Sequence, residues 1–266
     1  MVPSWLSDVV TSDLDRALHY TLLWGLEGIE LRTVGKPGER VPFVNEAKLL
    51  RRLSDSELVP VSVVPGMFEG QADDRLTWLN ELAAFEETLA FCDRIGCEQV
   101  VVSAFASEGG GDELAAEALQ RAGIAAERYG VRLAVLNELG GGRPTGRALA
   151  NLLNEVAHPA VGAAWNPTHA LRAGERTIVG LEALESRIVL VRCSDGVLQG
   201  GRWEPRPLGD GDVGWDDQVH RLAGIGFDGP MSLEIELKPG PKFGLHESER
   251  LIHLIRKAKQ AVRLHR

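Results

Sequence analysis

The stretch QVVVSAFASEGGGDELAAEALQRAGIAAERYGVRLAVLN, residues 99–137, decides the fold. It begins with a β-branched run, Gln99–Phe105, and passes through a glycine-rich loop into a helical pattern, Asp112–Tyr129. After Gly130 it returns to a second apolar run, Val131–Asn137. Short apolar runs bounded by turn residues predict buried strands, and the longer segment between them predicts a helix. Repeats of such a unit build parallel strands with helices outside the sheet.

The same alternation extends in both directions from this unit. Six further strands are predicted at Trp5–Val10, Gly28–Arg32, Val59–Val64, Val161–Asn166, Ile188–Cys193 and Met231–Glu236. Helical patterns follow the strands, the last over about His246–Leu264, and residues 203–214 belong to a longer polar segment. Eight strands alternating with eight helices predict a single (β/α)8 TIM barrel over residues 1–266. An open doubly wound sheet is the alternative, but no GxGxxG follows a predicted strand.

Composition excludes several classes of function. The 266 residues are 44% hydrophobic and 25% charged, which is typical of a soluble globular protein. The net charge of −9 disfavours a nucleic-acid partner. Because no apolar run approaches the ~20 residues that cross a bilayer, and no signal peptide is recognised, we expect no membrane partner and a cytoplasmic location. The three cysteines, Cys92, Cys97 and Cys193, lack metal-ligand spacing and are expected to be reduced and buried.

The polar side chains at the predicted strand ends are the candidates for a site. Catalytic groups of such barrels come from the carboxyl ends of the strands and from the loops that follow them. Those side chains are Glu30, Arg32, Asn137, Glu138, Asn166, His169, Arg192, Ser194, Asp195, Glu234, Glu236 and Lys238. Glu234 and Glu236 share one face of their strand by the period of two, as do Leu136 and Glu138. Asp195 is expected to order the loop after its strand.

The chain resembles the xylose isomerase-like barrels, the sugar phosphate isomerase/epimerase group, over almost its whole length. The resemblance begins with the leucine-rich helix that precedes GLEGIEL at residues 25–31. It is strongest in the C-terminal third, in Arg187–Val189, in PLGDGDV at residues 207–213 and in GFDGPMSLE at residues 226–234. The resemblance implies an isomerase or epimerase that acts on a small sugar or sugar phosphate.

The resemblance also implies one divalent metal, held by Glu, Asp, His and a second Glu from four strand ends. This chain has Leu136, Asn166 and Arg192 at three of those positions, and only Glu234 matches the fourth. Leucine offers no donor, and arginine cannot coordinate a cation because it stays protonated. We therefore expect no metal ligand and no cofactor. A pair between the Arg192 guanidinium and the Glu234 carboxylate is predicted in place of the ion.

The remaining residues predict a site for proton transfer. Glu234 and Glu138 are the candidate catalytic carboxylates, and His169, at the histidine that the family retains, is the third catalytic candidate. The candidate substrate contacts are Arg192, Asn166, Asn137, Glu30, Trp165 and Lys238. Arg192 would stabilise an enediolate oxygen, the task that the metal has in the family. The structural alternatives are a solvated loop carboxylate for Glu138, a helix-entry cap for His169, core packing for Trp165 and a structural ion pair for Arg192.

Two functions remain open on the sequence alone. The first is an isomerase or epimerase that moves a proton next to the carbonyl of a small sugar-like substrate, at a degenerate and metal-free site. The second is an altered or inactive family member that only binds a sugar-like ligand. A DNA-repair endonuclease shares the fold family but requires a multi-metal cluster and a basic surface, so we set it aside. A homo-oligomer is compatible with barrels of this kind.

Overall fold

Eight parallel strands close into a barrel. The computed structural model describes residues 1–36, 38–106, 112–237 and 240–264. The barrel strands are β1 (Val2–Leu6), β2 (Gly28–Leu31), β3 (Val59–Val63), β4 (Gln99–Ser103), β5 (Arg132–Leu136), β6 (Val161–Trp165), β7 (Ile188–Cys193) and β10 (Pro230–Leu233). Each pairs with the next in that order, and β10 closes the barrel against β1. The predicted (β/α)8 TIM barrel is therefore confirmed.

Helices follow the strands on the outside of the barrel. They are α1 (Leu14–Leu23), α2 (Glu46–Ser56), α3 (Arg75–Ile95), α4 (Asp112–Arg128), α5 (Gly146–Val156), α6 (Pro167–Arg172), α7 (Thr177–Leu184), α8 (Trp215–Gly224) and α9 (Pro241–Leu264). Side-chain oxygens of Asp13, Asn45, Asp74 and Thr145 cap four of them by accepting a backbone N–H of the first turn. No helix in the described ranges is long and apolar enough to cross a membrane.

The first strand ends earlier than the sequence predicts. We expected Trp5–Val10, but β1 ends at Leu6 and Ser7–Val9 form a 3₁₀ turn. The Ser7 hydroxyl donates to the Glu30 carbonyl at 3.2 Å, and the Ser7 carbonyl accepts the N–H of Val10 at 3.2 Å. These contacts turn the chain, although the apolar run continues through it. The last barrel strand is likewise shorter than the predicted Met231–Glu236, so Glu234 lies just beyond its end.

The polar segment after β7 contains a β-hairpin that the sequence did not lead us to expect. Strands β8 (Asp195–Gln199) and β9 (Arg202–Arg206) are antiparallel and lie outside the barrel. The turn between them is Gly200-Gly201, with φ values of 57° and 79°. Two consecutive positive φ angles are typical of a type I′ turn, and glycine adopts them without strain.

Two apolar layers surround the strands. The barrel interior holds Leu6, Val64, Val101, Ala134, Leu136, Ala164 and Leu190. A much larger cluster lies between the strands and the helices. Because side chains alternate along a strand, each residue belongs to one layer, so Ala164 faces the interior and Trp165 faces the helices. This alternation decides which strand-end residues reach the barrel mouth.

Candidate active site

A cavity of about 240 Å³ opens at the carboxyl ends of the barrel strands. Its floor is apolar and includes Val101 and Leu136. Its polar lining consists of Arg32, Arg40, Glu69, Ser103, Glu138, His169, Arg192 and Glu234. The three catalytic candidates therefore lie together around one cavity. A larger space of about 640 Å³ lies at the opposite end, beside the first residues of β6 and β7, where barrels of this type do not carry their chemistry.

Arg192 lies between two carboxylates at the bottom of this mouth cavity. Its side chain is only 2% exposed. Nη2 donates to Glu30 Oε2 at 3.1 Å, and Nη1 lies 3.6 Å from Glu234 Oε1. The Ser62 hydroxyl donates to the same Glu30 oxygen at 2.6 Å. Arg192 is therefore anchored to Glu30 by a hydrogen bond and faces Glu234 at a distance too long for a hydrogen bond.

The surrounding charges keep Arg192 protonated. Burial acts to lower the pKa of Arg192, but the carboxylates of Glu30 and Glu234 outweigh it and raise that pKa above the ordinary value. In the described part of the chain, Arg192 Nε and Glu30 Oε1 are buried without a hydrogen-bond partner. A fixed cation thus lies beneath the mouth cavity, with only part of its hydrogen-bonding capacity used.

Two asparagines fix the ends of β5 and β6. The Asn137 side chain accepts the Asn166 N–H at 2.7 Å and donates to the carbonyls of Asn166 and Pro144, both at 2.9 Å. Because both of its amide N–H groups are used and the side chain is completely buried outside the cavity lining, Asn137 positions the strand ends and does not offer the predicted substrate contact. Asn166 caps helix α6 through the His169 N–H at 3.2 Å, and its Nδ2 donates to Glu234 Oε2 at 3.3 Å. Asn166 therefore orients Glu234.

His169 presents one ring nitrogen for chemistry. Its Nδ1 lies 3.0 Å from the Asn137 carbonyl oxygen. A carbonyl can only accept, so the proton of the neutral ring is on Nδ1 and the lone pair is on Nε2. The ring lines the mouth cavity, so Nε2 is available there as an acceptor or base. The helix-entry cap is Asn166 and not His169, which removes the structural alternative considered for this histidine.

Glu138 lies on the β5 side of the cavity and is half-buried. The Ser103 hydroxyl at the end of β4 donates to Glu138 Oε2 at 3.0 Å. Glu138 and Ser103 also line an adjoining cavity of about 340 Å³ that extends over Gly140 and Gly141. The Ser103 hydroxyl thus holds this carboxylate at the mouth, whereas a solvated loop carboxylate would have no such partner.

Other predicted contacts lie away from the cavity. Trp165 is fully buried in the helix layer, where its indole N–H donates to Gln218 Oε1 at 3.0 Å. A substrate contact for Trp165 is therefore wrong, because the alternation along β6 turns it outward. Glu30 is completely buried beneath Arg192, so it acts through the guanidinium and does not touch a ligand. Lys238 lies outside the described residues.

Sequence reasoning missed two residues of the cavity wall. Arg40 comes from the loop between β2 and α2, and Glu69 comes from the loop between β3 and α3. Arg32, a strand-end candidate that the sequence leaves open between a ligand contact and a structural salt bridge, lines the wall and pairs with Asp8 at 2.9 Å. Neither loop residue belongs to a periodic pattern. The one available signal is the Pro65-Gly66 turn, since a glycine with positive φ permits the close approach of another side chain.

The donor set at the mouth does not fit a divalent metal. Among the described residues, no three His, Cys, Asp or Glu side chains converge in a way that could hold an ion. Leu136 belongs to the apolar floor, and the Asn166 amide oxygen is used by the His169 N–H. A cation beside Glu234 would be repelled by the Arg192 guanidinium, 3.6 Å from that carboxylate.

Comparison with known proteins finds a matching family model and similar folds. A family model described as "xylose isomerase-like TIM barrel" matches residues 19–259. Among solved structures, an L-ribulose 3-epimerase superposes with a TM-score of 0.81 at 14% identity, covering 99% of this chain and 97% of that chain. A D-tagatose 3-epimerase-like protein gives 0.81 at 15% identity, covering 98% and 100%. The IOLI protein with a bound zinc atom gives 0.76 at 19% identity, covering 98% of both chains. A search of curated protein sequences finds no significant match.

Proposed function

The chain belongs to the xylose isomerase-like TIM barrel family, and we propose that it is a sugar isomerase or epimerase that works without a bound metal. The observation that carries this proposal is the position of Arg192. Its Nη2 is occupied by Glu30, whereas its Nη1 faces Glu234 at 3.6 Å on the wall of the mouth cavity. A buried cation with one free edge can bind the negative oxygen that forms when a proton leaves the carbon beside a carbonyl.

The reaction requires one group to remove a proton and one to return it. Glu234 removes the proton from the carbon beside the carbonyl, and the electron pair of the C–H bond becomes the C=C bond of an enediolate. The carbonyl π pair moves to oxygen, which Arg192 Nη1 stabilises. Asn166 holds Glu234 Oε2 in place at 3.3 Å, so the carboxylate does not have to be ordered during the reaction.

Glu138 and His169 complete the proton transfers. Glu138 begins the cycle as the neutral acid and gives its proton to carbon from the β5 side of the cavity, so that two carboxylates share the shuttle. Glu234 then releases its proton to solvent and Glu138 takes one up, which restores both groups. His169 Nε2 accepts a hydrogen bond from a substrate hydroxyl, because its Nδ1 is committed to the Asn137 carbonyl. Return to the same carbon from the opposite face gives an epimer. Return to the former carbonyl carbon gives the isomer: the hydroxyl on the first carbon loses its proton and becomes the new carbonyl, and His169 Nε2 carries that proton to the former carbonyl oxygen. The residues support either outcome.

Solvent-deuterium incorporation tests this proposal directly. We expect the protein to exchange a proton of a ketose, from a panel of pentuloses, hexuloses and their phosphates, at equal rates with and without EDTA. Glu234→Gln should slow exchange by about 10²–10⁴-fold, the usual contribution of a positioned acid or base. Glu236→Gln is the matched control: Glu236 is two residues further, accepts the Trp203 indole N–H at 2.9 Å, and does not line the cavity.

Three results would contradict the proposal. Exchange that requires added metal, or a stoichiometric Mn²⁺ or Zn²⁺ in the purified protein, would restore the ordinary mechanism of the family. Equal loss of exchange in both glutamine variants would remove Glu234 from its role. Thermal stabilisation by a ketose without any exchange would favour the second candidate, a family member that binds sugar-like ligands and no longer turns them over.

A further inference from the structure

We infer that the mouth cavity binds the anionic end group of its substrate, a carboxylate or a phosphate, on the guanidinium groups of Arg40 and Arg32. The inference rests on the proposed function and narrows its substrate class to sugar acids or sugar phosphates. Both arginines line the same cavity as Glu234 and His169. Neither takes part in the proton transfers derived above.

A short hairpin after β2 brings Arg40 back over the barrel mouth. The chain leaves β2, forms an antiparallel bridge between Thr33 and Arg40, and pairs the Val41 N–H with the Arg32 carbonyl at 3.0 Å. Arg40 Nε then donates to the Val64 carbonyl at 3.1 Å. The guanidinium is therefore fixed at the ends of β2 and β3 by backbone contacts rather than left to move in solvent.

Gly66 provides the space in which the Arg40 guanidinium lies. Gly66 has a φ of 77°, and a Cβ built there would overlap the guanidinium carbon and both Nη atoms of Arg40. The planar group thus lies against the glycine backbone, in a place that any other residue would fill. Arg40 lines the cavity, and a flat, fixed guanidinium is a group that binds planar carboxylates and phosphates through its N–H donors.

The two arginines keep donors available at the cavity. Arg32 uses Nε for Asp8, at 2.9 and 3.1 Å from its two oxygens. Within the described residues, neither Nη group of Arg32 donates a hydrogen bond, and Nη1 of Arg40 does not either. The side chains are 31% and 39% exposed, respectively, so a ligand can reach them.

The two arginines and the three catalytic candidates come from different strand ends around the cavity. Arg40 and Arg32 occupy the β2–β3 side, whereas Glu138, His169 and Glu234 come from the ends of β5, β6 and β10. In the closed barrel order, β2 lies across from β6. A substrate with an anionic end and a carbonyl end therefore has one favourable orientation. The volume of about 240 Å³ restricts it to a small molecule, below the ~300–1,000 Å³ of sites for drug-sized ligands.

Glu69 occupies the position that the ligand anion would take. Its Oε1 lies 3.5 Å from Arg40 Nη2, and its side chain is 56% exposed. Such long and exposed ion pairs contribute little and are readily exchanged. Glu69 therefore competes with the ligand, and its removal should have the opposite effect to removal of Arg40.

Calorimetric titration of the full chain tests the inference without turnover. The probes are ribitol, D-ribonate and D-ribitol 5-phosphate, which share an open five-carbon chain, lack the aldehyde or ketone that the reaction needs, and differ in the end group. We expect at least one anion to bind about tenfold or more tightly than ribitol at low salt, since a factor of ten is what one good charge-assisted contact provides. Preference for ribonate identifies a carboxylate substrate, and preference for the phosphate identifies a sugar phosphate.

Variants with opposite expected signs make the test specific. Arg40→Gln should weaken binding of the preferred anion about tenfold and leave ribitol unchanged, whereas Glu69→Gln should tighten anion binding a few-fold. Arg94→Gln is the control, because Arg94 is an exposed arginine on α3 that pairs with Glu46 and Glu87. Glu69→Gln removes no anchoring contact, so the inference stays testable even if Arg40→Gln fails to fold.

Binding of ribitol as tightly as both anions would overturn the inference, and so would failure of both anions to bind in the millimolar range. Equal effects of Arg40→Gln and Arg94→Gln would show only a general charge effect and would also overturn it. The two proposals fail separately. Metal-independent exchange without anion preference removes the subsite and keeps the function, whereas anion preference without exchange on any ketose keeps the subsite and removes the function.

Discussion

Two buried charges at the end of β7, Arg192 and Asp195, are held in opposite ways. The Asp195 carboxylate accepts four backbone N–H groups, those of Gly196, Gly209, Gly211 and Val213, at 2.8–3.3 Å. Burial raises the pKa of Asp195, while these N–H groups act in the opposite direction. Arg192 contacts only side chains, and one of them, Glu234, lies open to the mouth cavity with 22% of its surface exposed.

The difference distinguishes a charge that stabilises the fold from a charge that is accessible to a substrate. Backbone N–H groups saturate Asp195, so it fixes the loop of residues 207–213 and has no capacity for a ligand, as the sequence led us to expect. The segment PLGDGDV, which carries much of the family resemblance, is therefore a framework that shapes the loop after β7. Arg192 is held by the buried Glu30 and also faces Glu234, a carboxylate that a substrate in the cavity can reach. The PLGDGDV segment thus serves the fold, whereas the proposed site combines two residues that match the family, Glu234 and His169, with Arg192, which departs from it.

The largest effect is expected when Arg192 is replaced. Arg192→Met leaves the completely buried Glu30 carboxylate with only the Ser62 hydroxyl as a partner. Breaking a buried ion pair by removing one side costs about 3–5 kcal/mol of the free energy of unfolding. Denaturant unfolding measures this loss, and deuterium exchange should disappear with it.

A double variant separates the two roles of Arg192. Glu30→Gln combined with Arg192→Met leaves no completely buried unpaired charge, because the Glu234 carboxylate that also loses its cation is 22% exposed, so it should recover most of the lost stability. Exchange should stay absent, because the oxyanion still has no cation. Full activity in the double variant would mean that the pair is only structural and that Arg192 resembles Asp195 after all.

Replacement of Asp195 should change stability and leave the chemistry intact. Asp195→Ala removes the acceptor of four backbone N–H groups, which we expect to cost about 2–3 kcal/mol of unfolding free energy. Asp212→Ala is the matched control, since exposed Asp212 accepts one N–H, from Leu198 at 3.3 Å, and should change stability by less than ~0.5 kcal/mol. Exchange by the folded Asp195→Ala protein should stay within about threefold of the parent. A loss comparable to that of Glu234→Gln would place Asp195 in the site and break the distinction.

The sequence predicts the barrel well because its signals are local. Each barrel strand is an apolar run and several helices begin at a side-chain cap, so the alternation survives errors at the boundaries. The exceptions involve contacts between distant segments, such as the Ser7 hydroxyl that ends β1 by donating to the Glu30 carbonyl. The hairpin after β7 was missed although Gly200-Gly201 is a turn signal, because polar residues obscure the alternation of the flanking strands.

The site is less predictable because its partners meet across the barrel. Alternation along the strands indicates that Arg192 and Glu234 point inward, and they lie 3.6 Å apart. The stronger partner, Glu30, is on β2, which is separated from β7 by β10 and β1. Which carboxylate forms the hydrogen bond with Arg192 depends on side-chain length and on how the side chains of the other strands fill the barrel interior. The position of Arg40 depends on the path of a loop. The sequence signal for that position is Gly66, the glycine against which the Arg40 guanidinium lies.

The smallest loss of stability is expected for replacement of Trp165. This replacement tests whether an unpaired buried polar atom is by itself enough to identify a functional site. Trp165 donates to Gln218 Oε1 at 3.0 Å, and in the described ranges the buried Gln218 Nε2 has no partner, as is true of Arg192 Nε. No mouth cavity adjoins it, so we expect Trp165→Phe to cost about 1–2 kcal/mol of unfolding free energy by loss of one buried hydrogen bond. Exchange and ribonate binding should be unchanged. The control is Trp203→Phe, whose indole partner Glu236 is half-buried and whose cost should be smaller. Weaker ribonate binding in Trp165→Phe alone would show that the helix layer is coupled to the mouth cavity. An unpaired polar atom beside the cavity would then no longer distinguish a functional residue from a structural one.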